Sequence, residues 1–230
     1  MGNHGGMPGE LHVQVRTAYD AECAEEGGAD RLVLVGSDPE LTPPPEAIAK
    51  IRRASSLDLR VRLRTRPGYL TDGADMSRLK GMVSTFIQGG ADGFVFGFLN
   101  AMSGIDIPAC AELAGDDTWG WTFDRAIDAV LDQGGAWSDI QALPRLDSVM
   151  TAGSARDVEH GLDNLLARAG RANPPLVAAG GLEPGHVPWL VRGGITAFYV
   201  DSPALTPGKV RAWRRLIDEE IALDAVRRSG

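Results

Sequence analysis

Between Arg60 and Arg66 the chain reads Arg-Val-Arg-Leu-Arg-Thr-Arg, so a guanidinium recurs at every second position. Arginines gathered on one face of an extended segment demand an anion. It is supplied either by carboxylates of the chain itself, as an internal ion network, or by a carboxylate or phosphate ligand held through bidentate bonds. Asp124, within Thr122-Phe-Asp-Arg-Ala-Ile-Asp128, is the carboxylate best suited to acid/base work. Arg66 or Arg64 would steady an anionic intermediate beside it. A structural salt bridge is the competing use of the same pair.

Side chains alternate across a strand, so Val61, Leu63 and Thr65 belong to a covering layer and the arginines to the opposite face. An antiparallel strand with its arginines in water would give the same pattern. The rest of the chain favours a buried setting, because short β-rich runs alternate with longer helical ones almost to the end. Strands are expected over 11–16, 31–35, 59–66, 93–98, 118–124, 146–151, 176–180 and 197–201. That number suffices to close a (β/α)8 TIM barrel. Helices close on Gly27-Gly28, Gly89-Gly90 and Gly193-Gly194, as left-handed caps should. Thr42 before Pro43 reads as a helix cap, and Leu79, Val83, Phe86 and Ile87 form a core-facing stripe. Residues 1–10 read as a Gly-rich tail and 11–230 as one barrel domain, least regular over 134–145. An open doubly wound sheet is disfavoured, since residues 16–23 after the first strand contain no glycine and so no G-x-G-x-x-G.

In such a barrel the functional groups collect at the C-terminal strand ends and the loops that follow. The candidates for ligand binding there are Arg16, Arg64, Arg125, Gly180, Gly181, Asp201 and Ser202, with Asp124 and Arg66 as the catalytic pair. Gly180 and Gly181 suit the phosphate position common in these barrels, although a tight turn also needs small residues, and Glu183 and Asp201 would crowd a phosphate. Ser37, Asp38, Asn100, Thr151 and Ser154 occupy equivalent rim positions.

Several chemistries are excluded. Lys50, Lys80 and Lys209 fall in helical segments, which disfavours a Schiff-base lysine at a strand end. There is no G-x-S-x-G elbow, and His12, His160 and His186 lack zinc spacing. Cys23 and Cys110 lie in helical patterns and read as packed thiols. A net charge of −8 over 230 residues argues against nucleic acid as the main partner. No run is apolar enough for a membrane span, and a cytoplasmic location is expected. Trp189 and Trp213 on late helices suggest cover by a second copy, as a homodimer. If Met1 is removed, the amine of Gly2, two amides and the His4 imidazole could enclose copper(II) in a square plane.

The blocks EGGADR (26–31), LTP (41–43), RP (66–67), GGADGFVFG (89–97), TFDRAID (122–128), MTAG (150–153) and AAGG (178–181) occur in this order. With them the chain resembles the CutC family. The resemblance implies a (β/α)8 barrel, cytoplasmic and often oligomeric, associated by name with copper homeostasis, so that copper becomes a possible cofactor. It also implies His at the place of Asp124, Glu and Cys at those of Val33 and Val35, Cys and Asp at those of Gln14 and Arg16, and His at that of Tyr199. Thiolate and imidazole are what copper(I) needs, and this chain departs from the pattern at each of those positions. The alternatives that remain are an enzyme acting on a small anionic metabolite and a barrel kept for binding or as a scaffold.

Overall fold

The computed structural model describes residues 9–38, 40–115 and 119–229. Eight parallel strands close a barrel in the order of the sequence. They are β1 (Glu10–Val15), β2 (Arg31–Leu34), β3 (Asp58–Arg62), β4 (Gly93–Phe96), β5 (Gly120–Phe123), β6 (Leu146–Thr151), β7 (Leu176–Ala178) and β8 (Ala197–Val200). The helices between them are α1 (Ala18–Gly27), α2 (Glu46–Ala54), α3 (Gly73–Gln88), α4 (Ile107–Ala114), α5 (Gln133–Ile140), α6 (Val158–Arg168) and α7 (Val187–Gly193), with α8 (Pro207–Ser229) last. This is the (β/α)8 barrel expected from the alternation. The Gly2, Asn3, His4 copper(II) set and Thr118 lie outside the described residues. Among those described, no helix is long and apolar enough to cross a membrane.

The period of two divides the core into two clusters. Leu11, Val13, Leu32, Leu34, Leu59, Val61, Phe94, Phe96, Trp121 and Phe123 point outward and are buried under the helices. Phe96 and Trp121 stack there at 4.1 Å. The residues between them point inward, where Val33, Val35, Val95, Met150, Val177, Ala179 and Tyr199 form a smaller cluster within the barrel. An eight-stranded barrel has an interior just wide enough to be filled by side chains.

Three local expectations need correction. Ile87 is 37% exposed, while Leu79, Val83 and Phe86 of the same helix are buried; one further residue turns a helix by about 100°, which carries Ile87 off the stripe. Thr42 caps no helix, because α2 begins at Glu46 after Pro45. Its hydroxyl instead accepts from the Arg64 amide at 2.7 Å and donates to the Arg64 carbonyl. Thirdly, β3 ends at Arg62 rather than at 66. The Thr42 clasp holds Arg64 at the barrel rim in place of a strand neighbour, and the chain turns away after it.

Candidate functional site

Arg60, Arg62 and Arg64 all face into the barrel, but they meet different neighbours. In the register of β3, β4 and β5, Arg60 is level with Gly93 and Gly120, and Arg62 with Val95 and Thr122. Two residues further on, Arg64 is level with Gly97 and Asp124. The glycines open a path across the barrel. A Cβ on Gly93 would lie 3.0 Å from the Cδ of Arg60, and one on Gly97 would lie 2.7 Å from Oδ1 of Asp124. Through the first gap Arg60 reaches Asp147 at 2.7 Å and also meets Asp58 at 3.3 Å. Through the second, Arg64 pairs with Asp124, both side chains being almost fully buried. Arg62 lies between these rows and faces Val95 and Thr122, with no carboxylate among its ion-pair partners in the described residues.

Asp124 is committed twice. Besides pairing with Arg64, its Oδ1 accepts from the Ala126 amide at 2.9 Å and so caps a 3-10 turn over Arg125–Ala129. The Arg64 guanidinium stacks 4.4 Å from the centre of the Tyr69 ring. Arg66 does not join them. It is 46% exposed and pairs with Asp72 and Asp75 at the start of α3, so its expected inward direction is overturned. The departure of the chain after Arg64 is the reason.

Arg125 also turns away from the interior. Its Nε donates to Asp128 at 2.8 Å, and Nη2 donates to the carbonyls of Ser154 and Arg156. Asp128, absent from the sequence-based candidates, fastens the β6 end by accepting from Thr151 Oγ1 at 2.5 Å and the Ala152 amide at 2.9 Å. Burial pushes the Asp128 carboxyl up, and these bonds and Arg125 oppose the shift. Gly180, at φ +93°, packs where a Cβ would run into the Arg125 guanidinium, and a Cβ on Gly181 would meet Asp157. Their smallness therefore has a packing cause. Asp201 is exposed and Ser202 half-buried at the end of β8, where both line a cavity of about 370 Å³ beneath α8.

The arginines left at the mouth are Arg16, Arg62 and Arg64. Tyr199 lies buried among them and donates to Gln14 Oε1 at 2.8 Å. Burial pushes its phenol up to about 12, with Arg62 and Arg16 opposing and Asp201 adding to the shift. The Nε atoms of Arg16, Arg62 and Arg64 are buried with no hydrogen-bond partner among the described residues. Extending the strand register by one residue places Arg16 level with Val35, and Val35 level with Arg62. Arg16 and Val35 also line a cavity of about 650 Å³ that runs outward past Ser37 and Pro43 to Glu46 and Lys50 of α2.

A second polar group fills the opposite end of the barrel. His12 is fully buried there and bonds Glu10 through Nε2 at 2.9 Å, and Arg31 pairs with Asp58 at 2.8 Å. Burial lowers the His12 pKa, against the raising effect of Glu10. Sequence reasoning passed over this group because N-terminal strand ends rarely carry function. The shared inward parity of His12, Arg31 and Arg60 was the available signal. Cys23 and Cys110 are buried under α1 and α4, outside the barrel, and burial pushes the Cys110 thiol up to about 12. Among the described residues, no three His, Cys, Asp or Glu side chains gather as a set of metal ligands.

Residues 10–202 match the sequence model of the CutC family. The chain belongs to the CutC family. The CutC of Xanthomonas campestris pv. campestris strain B100 is 31% identical over 161 residues, covering 68% of this chain and 67% of the relative. The CutC of Klebsiella pneumoniae strain 342 is 26% identical over 201 residues, 84% of this chain and 81% of its own. Among solved structures, a CutC from Streptococcus agalactiae, named for copper homeostasis, superposes with a TM-score of 0.75 at 16% identity, over 83% of this chain and 97% of that one. A thiamine phosphate pyrophosphorylase from Pyrococcus furiosus shares the fold at a TM-score of 0.63 and 13% identity, over 92% and 96% of the two chains.

Proposed function

We propose that this CutC-family barrel binds a small anion, a carboxylate or a phosphate, at its C-terminal mouth, with Arg16, Arg62 and Arg64 as the binding groups. The observation that carries the reading is the set of three buried guanidinium Nε–H donors that find no acceptor among the described residues. A buried donor left unpaired costs about 1–3 kcal/mol, and an ion without a counter-ion costs more. Asp124 neutralises only one of the three cations, and Asp201, being exposed, is screened by water. An anion against the guanidinium edges satisfies both requirements. The reading is one of binding, because both oxygens of Asp124 are engaged in holding the site together.

Copper homeostasis, in the name of the Streptococcus relative, is the natural competing role. The residues do not fit it. Copper(I) selects thiolate, thioether and imidazole, whereas the barrel mouth of this chain offers guanidinium, amide, phenol and a paired carboxylate. The two cysteines are buried apart from it.

Calorimetric titration of the full chain with inorganic phosphate tests the reading. Saturable binding is expected, weakened about 10–100-fold in Arg62→Met, the loss corresponding to one or two charge-assisted hydrogen bonds. Identical weak heats for both proteins would sink it. Copper(I), titrated anaerobically against a competing chelator, should stay with the chelator, and tight one-to-one uptake would restore the copper role.

A further inference from the structure

The anion site has an annexe, and we infer from it that the ligand is an organic phosphate monoester rather than a bare ion or a simple carboxylate. The inference rests on the anion-binding reading and extends it. Two observations point this way. Three Nε–H donors without a partner among the described residues come from two strands, Arg16 at the end of β1 and Arg62 and Arg64 on and after β3. Donors drawn from separate strands suit the three free oxygens of a tetrahedral phosphoryl group. A planar carboxylate is matched best by one guanidinium in a fork. The charge agrees as well, since three guanidiniums against one buried carboxylate leave an excess of two positive charges at the mouth, the charge of a phosphate monoester dianion.

The second observation is the cavity of about 650 Å³ that begins at Arg16 and Val35. Of the three arginines it is Arg16 that lines it, beside Val35 of the cluster inside the barrel, and Glu46 and Lys50 are exposed on α2, so the cavity joins the Arg16 edge of the anion site to the surface. Its volume lies within the range of small-molecule sites. Inorganic phosphate would leave it to water. An ester of sugar size places its phosphoryl group on the arginines and its body along the Ser37 side, with Glu46 and Lys50 at the outer end to meet hydroxyl or amino groups.

The test compares inorganic phosphate with glycerol 3-phosphate and ribose 5-phosphate by calorimetry on the full chain, in wild type and in Ala47→Phe. Ala47 lines the cavity on α2, away from β1 and β3, which carry the arginines. The esters should bind at least about tenfold more tightly than inorganic phosphate. Ala47→Phe should remove that advantage and leave the affinity for inorganic phosphate unchanged. Should Ala47→Phe lose its fold by circular dichroism, Lys50→Trp, at the outer end of the same cavity, takes its place with the same expectation. Equal affinity for ester and inorganic phosphate in wild type overturns the inference and leaves the anion reading standing. So does a parallel loss of both in the filled variant. Absence of binding by all three probes overturns the anion reading itself.

Discussion

Arg64 and Asp124 meet over the end of β4 because Gly97, level with both and between them, has no side chain. A Cβ there would lie 2.7 Å from Asp124 Oδ1 and 3.0 Å from the Phe123 ring and the Ala126 Cβ. The pair is therefore a three-strand construction, in which a glycine of β4's extension defines what β3 and β5 can share.

Removing one partner should be expensive. Asp124→Ala leaves the Arg64 guanidinium buried without a counter-ion and uncaps the turn that follows, so a loss of about 3–5 kcal/mol is expected. Urea unfolding of Asp124→Ala, Arg64→Met and the double variant measures it. The double variant should be more stable than the sum of the single losses predicts, because the stranded charge is gone. Gly97→Ala should cost roughly 1–3 kcal/mol through overpacking alone.

Arg66 provides the contrast. It is half-exposed, and of its partners at the start of α3 Asp72 is exposed and Asp75 buried. Arg66→Ala should cost about 1–3 kcal/mol, because it strands the buried Asp75 carboxylate, with phosphate affinity unchanged. A loss of binding equal to that of Arg62→Met would place Arg66 in the site after all.

Stability should depend on pH through His12. Burial lowers its pKa from the ordinary 6.5, so below that pH the unfolded chain takes up a proton that the folded chain refuses. The stability contributed by the neutral imidazole is thus present above 6.5 and lost as the pH falls toward the folded value. Glu10, Arg31 and Asp58 act on the ring. Glu10 is itself held below its usual range, chiefly by its hydrogen bond with His12, and so adds a further loss at more acid pH. Melting temperatures recorded from about pH 8 down to about pH 5.5 should fall in the wild type and fall less in His12→Gln. Parallel curves would show that His12 is not the titrating group.

The cysteines should be inert in the native state. Cys110 is fully buried, with its thiol pushed up to about 12 by desolvation, and Cys23 is 2% exposed. Because the thiolate is the reactive form, iodoacetamide near pH 8 should leave both unmodified until denaturant is added. Mass spectrometry reads the result directly. Rapid native alkylation of either would reopen the question of a soft metal ligand.

The fold was legible because period-two strands alternate with glycine-terminated helices, and all eight strands lie where the alternation puts them. The parity of Arg60, Arg62 and Arg64 was legible for the same reason. What could not be read is which inward arginine lacks a carboxylate partner among the described residues. That depends on Gly93, Gly97 and Gly120 lining up across neighbouring strands, a relationship set by sheet register. Nor could the outward turn of Arg125 or the departure of Arg66 be read from spacing. One follows from Asp128 and two carbonyls on the next βα unit, the other from the hydroxyl of Thr42, which lies 22 residues from Arg64.

A crystal of the full chain soaked in tungstate, a tetrahedral oxyanion with a strong anomalous signal, tests the central claim most directly. The account predicts one dominant anomalous peak at the C-terminal mouth, with its oxygens within hydrogen-bond reach of Nε of Arg16, Arg62 and Arg64. A mouth without a peak, in which those three guanidiniums are satisfied by water or by carboxylates of the chain, would contradict it.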